Sequence, residues 1–274
     1  MSTTAGIDVG STYTKAVIVG PGGEILGRAM IPTGFRLDEA AAGAFDRALA
    51  AAGLRRAAVD SVASTGYGRN QVSFRQLKVT DLTAHAYGAR HFFPRTRTVL
   101  DVGGQTMKAS RLDEDGWVQS FRLNDKCAAG TGAFLEKTAH YMGFTTDDIG
   151  PLAGAAENSV PISGVCAVFA ESEVINHLSQ GVPPGEIMYS AIVSLVGRSV
   201  QLMHRVRMEP EFTLVGGILR FEAMARVMRD ALGQAVNVLP GDLVQYNGAA
   251  GAALLAQLRA GRVSPQPVPA TAVV

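Results

Sequence analysis

Short apolar runs alternate with amphipathic stretches along this chain, a pattern typical of mixed α/β proteins. Apolar runs at 16–19, 24–31 and 61–64 predict strands. The Ala-rich stretch Asp38–Ala52 and the stretch Leu82–Phe92 predict amphipathic helices between and after them. The first part of the chain is therefore expected to form a sheet covered by helices.

A similar order of elements recurs in the second part of the chain. Its predicted strands are 97–101, 107–112, 117–122 and Phe212–Val215. Its predicted helices are Gly132–Met142 and Phe221–Leu232, and between them lies a helical segment, 146–205, that includes the long apolar helix Glu186–Val206. A repeated order of this kind predicts a duplicated α/β unit.

Two glycine-rich segments of matching design, Ile7–Lys15 and Leu100–Lys108, open the two repeats. In each, an apolar strand delivers an Asp, a glycine turn follows, and a second apolar strand continues from a Lys. This pattern predicts a β-hairpin rather than the strand-turn-helix of a P-loop. One such hairpin is typical of an ordinary turn, but two, roughly ninety residues apart, indicate a duplicated phosphate cradle.

Backbone N–H groups at a glycine turn can approach phosphate oxygens, because no side chain blocks them. The candidate nucleotide contacts in the hairpins are Gly10, Ser11, Thr12, Lys15, Gly103, Gly104 and Gln105. Asp8 and Asp101 are candidate catalytic residues, since a carboxylate at a hairpin base can hold Mg²⁺ through water. Gln105 is a third catalytic candidate that would orient the attacking water, and a role in capping the turn fits its position equally well.

A glycine pair, Gly216 and Gly217, follows the strand Phe212–Val215 and precedes a helix. Such a pair allows a base and ribose to lie against backbone, although it also suits an ordinary strand-to-helix loop. The run Asn247–Ala253 has only Gly and Ala after its Asn, which predicts a helix packed closely against its neighbour.

The chain has two cysteines, Cys127 and Cys166, and each precedes a predicted helix. A thiol at a helix N-terminus favours the thiolate form that ligates metal. Two thiolates are half of the ligands of a 4Fe-4S cluster, so two chains meeting at a two-fold or pseudo-two-fold axis could supply all four. The alternative is that both are buried small hydrophobic residues. Gly130, Thr131 and Gly132 join Cys127 to its helix and are further candidate nucleotide contacts.

Composition narrows the possible function classes. The chain has 274 residues, 47% hydrophobic and 18% charged, and its apolar runs are too short and interrupted to predict a membrane span. A net charge of +1 does not favour nucleic acid or an anionic membrane as a partner. The first strand begins without a basic and apolar leader, which predicts a cytoplasmic protein. The five histidines lack metal-ligand spacing and are interpreted as ordinary helix or surface residues.

The order of these motifs resembles the superfamily of actin, the heat-shock chaperone ATPases and the acetate and sugar kinases. The two hairpins correspond to its phosphate motifs, Leu214–Gly217 to its adenosine motif and Asn247–Ala253 to its second connecting helix. The resemblance implies an α/β fold of two ribonuclease-H-like lobes that close on Mg-ATP in the cleft between them. The expected divisions are an N-terminal lobe (1–95) and a C-terminal lobe (96–262) that contains a helical insertion at about 146–205, followed by a disordered tail (263–274).

Two cysteine segments narrow the resemblance. Lys126–Gly132 and Gly164–Glu173 look like the motifs of the ATPase components of benzoyl-CoA reductase and of the 2-hydroxyacyl-CoA dehydratase activators. The stretch Ser64–Arg69 is also a pattern of this family. The chain departs from the pattern at Asp81 and Ala84, where many relatives carry Glu and a third Cys, so Ala84 is not expected to serve the cluster.

The narrower resemblance implies that Cys127 and Cys166 hold a 4Fe-4S cluster shared with a second ATPase subunit, either a related chain or a second copy. It implies that ATP hydrolysis drives single electrons from a donor such as ferredoxin to the iron-sulfur subunits of a CoA-ester reductase. Chain length and the stretch Gln105–Lys108 look most like the small ATPase subunit of benzoyl-CoA reductase. A homodimeric activator of a 2-hydroxyacyl-CoA dehydratase is the alternative.

Two other function classes stay open. A small-molecule kinase would use the same fold with a carboxylate base, but the chain has no acceptor-site motif and a kinase has no need of the cysteine pair. A chaperone or filament-like ATPase would use the nucleotide state to control protein contacts without a metal. An anaerobic visible and EPR spectrum separates both classes from an iron-sulfur ATPase.

Overall fold

Two five-stranded sheets with the same strand order organise the protein. The structure is a computed structural model that describes residues 2–124, 130–156, 158–162 and 167–261. Its strands are β1 Thr4–Val9, β2 Tyr13–Val19, β3 Ile25–Pro32, β4 Ser61–Thr65, β5 Leu77–Lys78, β6 Thr98–Val102, β7 Met107–Leu112, β8 Val118–Asn124, β9 Phe212–Val215 and β10 Val236–Val238.

The sheets are ordered β3-β2-β1-β4-β5 and β10-β9-β6-β7-β8. In each sheet, the first three strands along the chain are antiparallel neighbours, and the fourth strand is parallel to the first. These fourth strands are β4, beside β1, and β9, beside β6. The predicted α/β class and its duplicated order are confirmed. The sequence pattern does not predict β5 and β10, because two and three residues are too few to show an alternation.

Eight helices lie in the described ranges: α1 Leu37–Ala52, α2 Asp81–Phe92, α3 Gly132–Tyr141, α4 Ile149–Gly154, α5 Ala167–Ser179, α6 Pro184–Arg205, α7 Glu222–Leu232 and α8 Asn247–Arg259. The predicted helices agree with them to within two residues at each end, except that α8 continues beyond the run that predicted it. The long helix α6 buries one face, including Ile192 and Leu195, in the same core as Leu100 and Met107 of the second sheet. Helix α6 therefore covers the face of the second sheet that lies opposite α2.

The last helix, α8, packs on the first sheet although it comes from the far end of the chain. Every residue from 247 to 257 is buried, as expected for a helix that is apolar all round. The Thr4 hydroxyl donates to the Ala253 carbonyl at 2.8 Å. A Cβ added at Gly6 of β1 would overlap the Ala249 carbonyl, so glycine is what lets strand and helix backbones touch.

Helix α2 lies between α8 and the second sheet. A Cβ at Gly251 of α8 would overlap the Ala84 carbonyl, which explains the small-residue run that predicted close packing. On its other side, α2 packs Ala86 and Ala89 against Val99 and other apolar residues of the second sheet. The pair α2–α8 therefore forms a continuous connection between the two sheets. The lobe boundaries inferred from sequence stay a prediction, and the predicted tail 263–274 lies outside the described residues.

None of the helices in the ranges above is both long enough and apolar enough to cross a lipid bilayer.

Gly251→Ala should destabilise the protein, because its methyl group would meet backbone that cannot move independently of α2. The expected loss in the free energy of unfolding is about 1–3 kcal/mol, the usual cost of overpacking, measured by urea denaturation followed by circular dichroism. Gly197 of α6 is the matched control, since nothing lies within 4 Å of an added Cβ there. Gly197→Ala should raise stability by about 0.5–1 kcal/mol through helix propensity. Equal effects of the two substitutions would contradict the packing argument.

Candidate functional site

The two predicted phosphate hairpins have the same turn geometry. In the first, the Gly10 amide donates to the Tyr13 carbonyl at 3.2 Å, and in the second, the Gly103 amide donates to the Thr106 carbonyl at 2.9 Å. Each hydrogen bond spans four residues and closes the connection between two antiparallel strands. We call these four-residue segments turn 1 (residues 10–13) and turn 2 (residues 103–106).

Turn 1 and turn 2 face each other. A Cβ added at Gly104 would lie 2.8 Å from the Thr12 hydroxyl oxygen, so the two turns nearly touch at this point. The side chains of Ser11, Thr12 and Gln105 are exposed at the turns. The fold thus brings together candidates that are distant in sequence, and it leaves polar groups of both turns accessible to a ligand.

Each hairpin carries a cross-strand pair of an aspartate and a lysine. Asp8 lies opposite Lys15, with 3.4 Å between Oδ2 and Nζ, and Asp101 lies opposite Lys108, with 3.2 Å between the same atoms. Both aspartates are buried. The lysine at the start of each second strand therefore neutralises the aspartate at the hairpin base. Lys15, a candidate nucleotide contact, is held by Asp8 in this arrangement.

Asp101 lies in a larger charged cluster than Asp8. The Lys108 Nζ is 2.8 Å from Asp81 Oδ2, and His85 Nε2 is 3.7 Å from Asp101 Oδ2. Asp81 and His85 are both on α2, and neither is among the site residues predicted from the sequence. Asp81 could have been found from its place in a family motif. His85 could not, because the histidines of this chain lack the spacing of metal ligands.

Opposing effects set the pKa values in this cluster. Burial acts to raise the pKa of Asp101, but His85 and Lys108 outweigh it and hold that pKa below its ordinary value. Burial likewise acts to raise the pKa of Asp81, and Lys108 reverses the effect. Burial acts to lower the pKa of Lys108, yet Asp101 and Asp81 raise it above its ordinary value. All three groups are therefore charged at neutral pH.

Asp8 has a different neighbour. Gly66, in the motif Ser64–Arg69, has a φ of +85°, and a Cβ there would overlap the Asp8 carboxylate and the Val9 carbonyl. The Gly68 amide donates to that same Val9 carbonyl at 2.9 Å. The backbone of this motif therefore packs directly against the base of the first hairpin.

Different elements hold the carbonyl groups of the two turns. Thr33, just beyond β3, donates from its amide to the Thr12 carbonyl and from its hydroxyl to the Gly10 carbonyl, both at 2.9 Å. In turn 2, the Gly103 and Gly104 carbonyls accept from the Gly132 and Ala133 amides, also at 2.9 Å each. Turn 2 is thus bonded directly to the first residues of α3. Thr33 is not among the residues predicted from the sequence.

These bonds limit what the segment before α3 can do for a nucleotide. The Gly132 amide is engaged by the Gly103 carbonyl, so this candidate contact supports turn 2 in the present arrangement. Thr131 is fully buried, and a Cβ at Gly130 would lie 2.5 Å from the Asn124 amide nitrogen. The three candidates therefore lie beside turn 2 within packed protein.

The glycine pair after β9 lies against the second hairpin. Gly216 has a φ of +106°, and a Cβ there would overlap the Val102 carbonyl. A Cβ at Gly217 would lie 3.5 Å from the Gln245 side-chain oxygen, so this position is less restricted. Close approach to Val102 explains the first glycine and leaves the second available for a ligand role.

Cys127 and Cys166 both lie outside the described residues. Helix α5, which begins directly after Cys166 in the sequence, packs beside α3. Glu171 of α5 accepts a hydrogen bond from the Tyr141 hydroxyl at 3.1 Å and lies 3.5 Å from Lys137 Nζ. The helices that follow the two cysteines are therefore neighbours. Within the described ranges, no three His, Cys, Asp or Glu side chains are grouped to hold a metal ion.

Two matching sheets with facing glycine hairpins define an ATPase of the actin-like fold. The chain matches the BadF/BadG/BcrA/BcrD ATPase family over residues 5–256, and it belongs to that family. The predicted resemblance is confirmed at this level.

Curated relatives and solved structures agree with this assignment. The activator of lactoyl-CoA dehydratase from Anaerotignum propionicum is 38% identical over 253 residues, which are 92% of this chain and 96% of the relative. One of the subunits of benzoyl-CoA reductase from Thauera aromatica is 34% identical over 270 residues, 94% of each chain. The activator of the 2-hydroxyisocaproyl-CoA dehydratase from Clostridium difficile, solved with bound ADPNP, is 33% identical with a TM-score of 0.88 and covers 97% of this chain and 100% of its own.

Lys108→Met should destabilise the protein by about 3–5 kcal/mol at pH 7, because it leaves the Asp101 and Asp81 carboxylates buried without their cation. The lowered aspartate pKa values mean that their contribution is complete above their ordinary pKa and is lost as the pH falls below it and through the lowered pKa of the folded state. The raised pKa of Lys108 means that its contribution is lost only at strongly alkaline pH. Because burial raises the aspartate pKa values once Lys108 is removed, the difference from wild type should be largest between about pH 7 and pH 9 and should shrink as the pH falls toward and below about pH 4.

Urea denaturation of both proteins across this pH range measures the difference. Lys15→Met is the matched control, since the structure pairs Lys15 with one carboxylate, at a longer distance. It should cost less than Lys108→Met at every pH above about 5. A larger loss in Lys15→Met would contradict the cluster described here.

Proposed function

We propose that this protein is an ATP-hydrolysing, iron-sulfur electron activator that drives single electrons at low potential to a partner enzyme acting on a CoA ester. The observation that supports it most directly is the bonding of turn 2 to the start of α3, the helix that follows Cys127. Two backbone hydrogen bonds thereby join the proposed phosphate site to the helix that follows Cys127 in the sequence. A kinase or a chaperone would leave the cysteine motifs without a role.

Mg-ATP would bind between turn 1 and turn 2. The exposed Ser11 and Thr12 and the turn amides suit phosphate oxygens, and the buried Asp8 and Asp101 carboxylates supply the oxygen ligands that Mg²⁺ prefers. Gln105, also exposed on turn 2, would orient the attacking water. Gly217 would lie beside the adenosine.

The Cys127 and Cys166 thiolates would ligate a 4Fe-4S cluster, completed by the same two residues of a second ATPase subunit. When bound, such a cluster accepts and releases one electron at a potential that depends on hydrogen bonds and solvent exposure. Within this chain, the ion pair and hydrogen bond at Glu171 hold together α3 and α5, the helices that follow the two cysteines in the sequence. The proposed protein is cytoplasmic and receives electrons from a donor such as ferredoxin.

ATP can do work on the partner only if ATP and ADP favour different arrangements of the two turns. Turn 2 cannot shift against α3 without breaking the bonds from Gly132 and Ala133, so a change at the phosphates moves α3 with it. Turn 1 is bonded to Thr33 instead and follows the first sheet. A change in the separation of the turns is therefore transmitted to the helix that follows Cys127.

Two partners are compatible with this activity. The stretch Gln105–Lys108 and the chain length favour the catalytic subunits of benzoyl-CoA reductase, in the anaerobic degradation of aromatic compounds. The second candidate is a 2-hydroxyacyl-CoA dehydratase, favoured by the 38% identity to a lactoyl-CoA dehydratase activator against 34% to the reductase component. Electron delivery to each purified partner under anaerobic conditions distinguishes them.

Cys127→Ala and Cys166→Ala should each abolish the iron-sulfur signal, because each removes at least one of four thiolates. The measurement is the anaerobic visible and EPR spectrum of the reconstituted assembly, with iron counted per dimer. Wild type should show a 4Fe-4S signal, and neither variant should, while thermal unfolding changes little. A variant that keeps full iron occupancy would show that its cysteine is structural. A colourless wild type after reconstitution would contradict the electron-transfer proposal and favour a chaperone-like ATPase.

Gly132→Ala should uncouple ATP hydrolysis from electron transfer. A methyl group there would lie 3.0 Å from Ile218 and 3.3 Å from both the Gly103 carbonyl oxygen and the Gly104 Cα, so it disturbs the contact between turn 2 and α3. We expect ATP hydrolysis to continue while fewer electrons reach the partner. The ratio of ATP hydrolysed to electrons delivered should rise about tenfold, an effect worth about 1.4 kcal/mol.

Gly154→Ala in α4 is the control, because nothing lies within 4 Å of an added Cβ at that position. Its ratio should equal that of wild type. An unchanged ratio in Gly132→Ala, with normal folding, would mean that the bonds between turn 2 and α3 serve only the static fold.

A further inference from the structure

Three polar side chains from three different elements form a line that ends at the second hairpin. Asn247 is the first residue of α8, His85 lies on α2 and Asp101 lies on β6. The Asn247 amide nitrogen is 3.0 Å from the His85 carbonyl oxygen and 3.3 Å from the His85 Nδ1. The His85 Nε2 is 3.7 Å from the Asp101 Oδ2.

The contacts of Asn247 determine which nitrogen of a neutral His85 carries the proton. A backbone carbonyl can only accept, so the atom that faces the His85 carbonyl must be the amide nitrogen of Asn247. The second hydrogen of that nitrogen is then available to His85 Nδ1, which acts as an acceptor. The proton of the neutral ring therefore lies on Nε2, the atom that faces Asp101.

The position of Asn247 is unusual for a polar side chain. It is fully buried, and its Oδ1 has no hydrogen-bond partner within the described residues. The buried run that follows it in α8 contains only Gly, Ala and Leu up to Gln257. Gln257 donates to the Ser2 and Gly20 carbonyls and ties the chain terminus to α8. Asn247 instead directs its donors to His85 and leaves a buried oxygen unpaired, which is unfavourable for stability.

We propose that Asn247 and His85 are positioning residues for ATP hydrolysis: Asn247 holds the His85 ring with its Nε2 facing Asp101, and His85, 3.7 Å from the Asp101 Oδ2, limits the rotation of that carboxylate. The Asp101 Oδ2 accepts a hydrogen bond from Lys108 Nζ at 3.2 Å and has His85 Nε2 3.7 Å away, so rotation of the carboxylate is restricted and its other oxygen keeps one orientation. The first hairpin is built differently, because the backbone of Gly66, which has no side chain, lies against the Asp8 carboxylate. The inference rests on the proposed function, in which Asp101 serves the Mg-ATP site.

The first test is the protonation of the His85 ring, measured by long-range ¹H–¹⁵N correlation spectra of the full-length protein at pH 8. Wild type should show the Nε2–H form of His85. Asn247→Leu, which removes the donor to Nδ1, should show a mixture of both forms. Gln257→Leu is the matched control on the same helix: it removes a buried amide and two hydrogen bonds, and it should leave His85 in the Nε2–H form. An Nδ1–H form in wild type would overturn the proposal.

The second test is steady-state ATP hydrolysis by correctly folded variants. His85→Leu should lower kcat by about 10- to 100-fold with the KM for Mg-ATP changed less than about threefold, as is usual when an orienting partner is lost. His85→Gln keeps an N–H donor for Asp101 and should recover most of kcat. His91→Leu, which removes another buried histidine from α2, should leave kcat unchanged.

The outcomes separate this inference from the proposed function. Equal effects of His85→Leu and His91→Leu on kcat, in a wild type that hydrolyses ATP, would overturn the positioning role alone. A failure of His85→Gln to recover more activity than His85→Leu would overturn it as well. A folded wild type with no ATP hydrolysis would overturn the proposed function.

Discussion

The structure depends on the direct backbone contact of α8 with β1 on one side and with α2 on the other. Gly6, Gly88 and Gly251 lie where a Cβ would come within 2.5 Å of a facing carbonyl oxygen, so these contacts exist only because the positions are glycine. Through these contacts α8 packs on the first sheet, and α2 is held between α8 and the second sheet. The distance between the two hairpins is set by this stack of strand, helix, helix and strand, which has little room to compress.

Within this frame the two hairpins are copies that differ in what surrounds them. Both have an Asp–Lys cross-strand pair and a four-residue turn closed by one hydrogen bond. Turn 1 is bonded to Thr33 beside its own sheet, whereas turn 2 is bonded to the first amides of α3. A displacement of turn 1 would therefore act on the first sheet, whereas a displacement of turn 2 would act directly on a helix.

The charged cluster at Asp101 is a part of the fold that is not optimised for stability. Two buried carboxylates and one buried lysine are costly to desolvate, and an apolar set of similar volume would be at least as stable. Their mutual interactions keep all of them charged, and Asn247 orients a His85 ring whose Nε2 lies 3.7 Å from one oxygen of Asp101. An arrangement of this kind holds a carboxylate in one orientation, which a metal or a water near a phosphate needs and a hydrophobic core does not.

Much of the architecture was determined by local sequence. Alternating apolar residues, the two Asp-Gly turns and the small-residue run at Asn247–Ala253 predicted the elements, their duplication and the close packing of α8, because strands, turns and helices obey short-range periodicities. The tertiary structure alone decided which residues meet at Asp101. Asp81 and His85 come from a helix that precedes the hairpin, and Asn247 comes from the far end of the chain. No periodicity encodes such contacts, since they depend on how the connecting helices α2 and α8 cross between the sheets. The same holds for Thr33 and for the bonds from Gly132 and Ala133, whose backbone groups have no sequence signature and acquire a role only when a turn is folded against them.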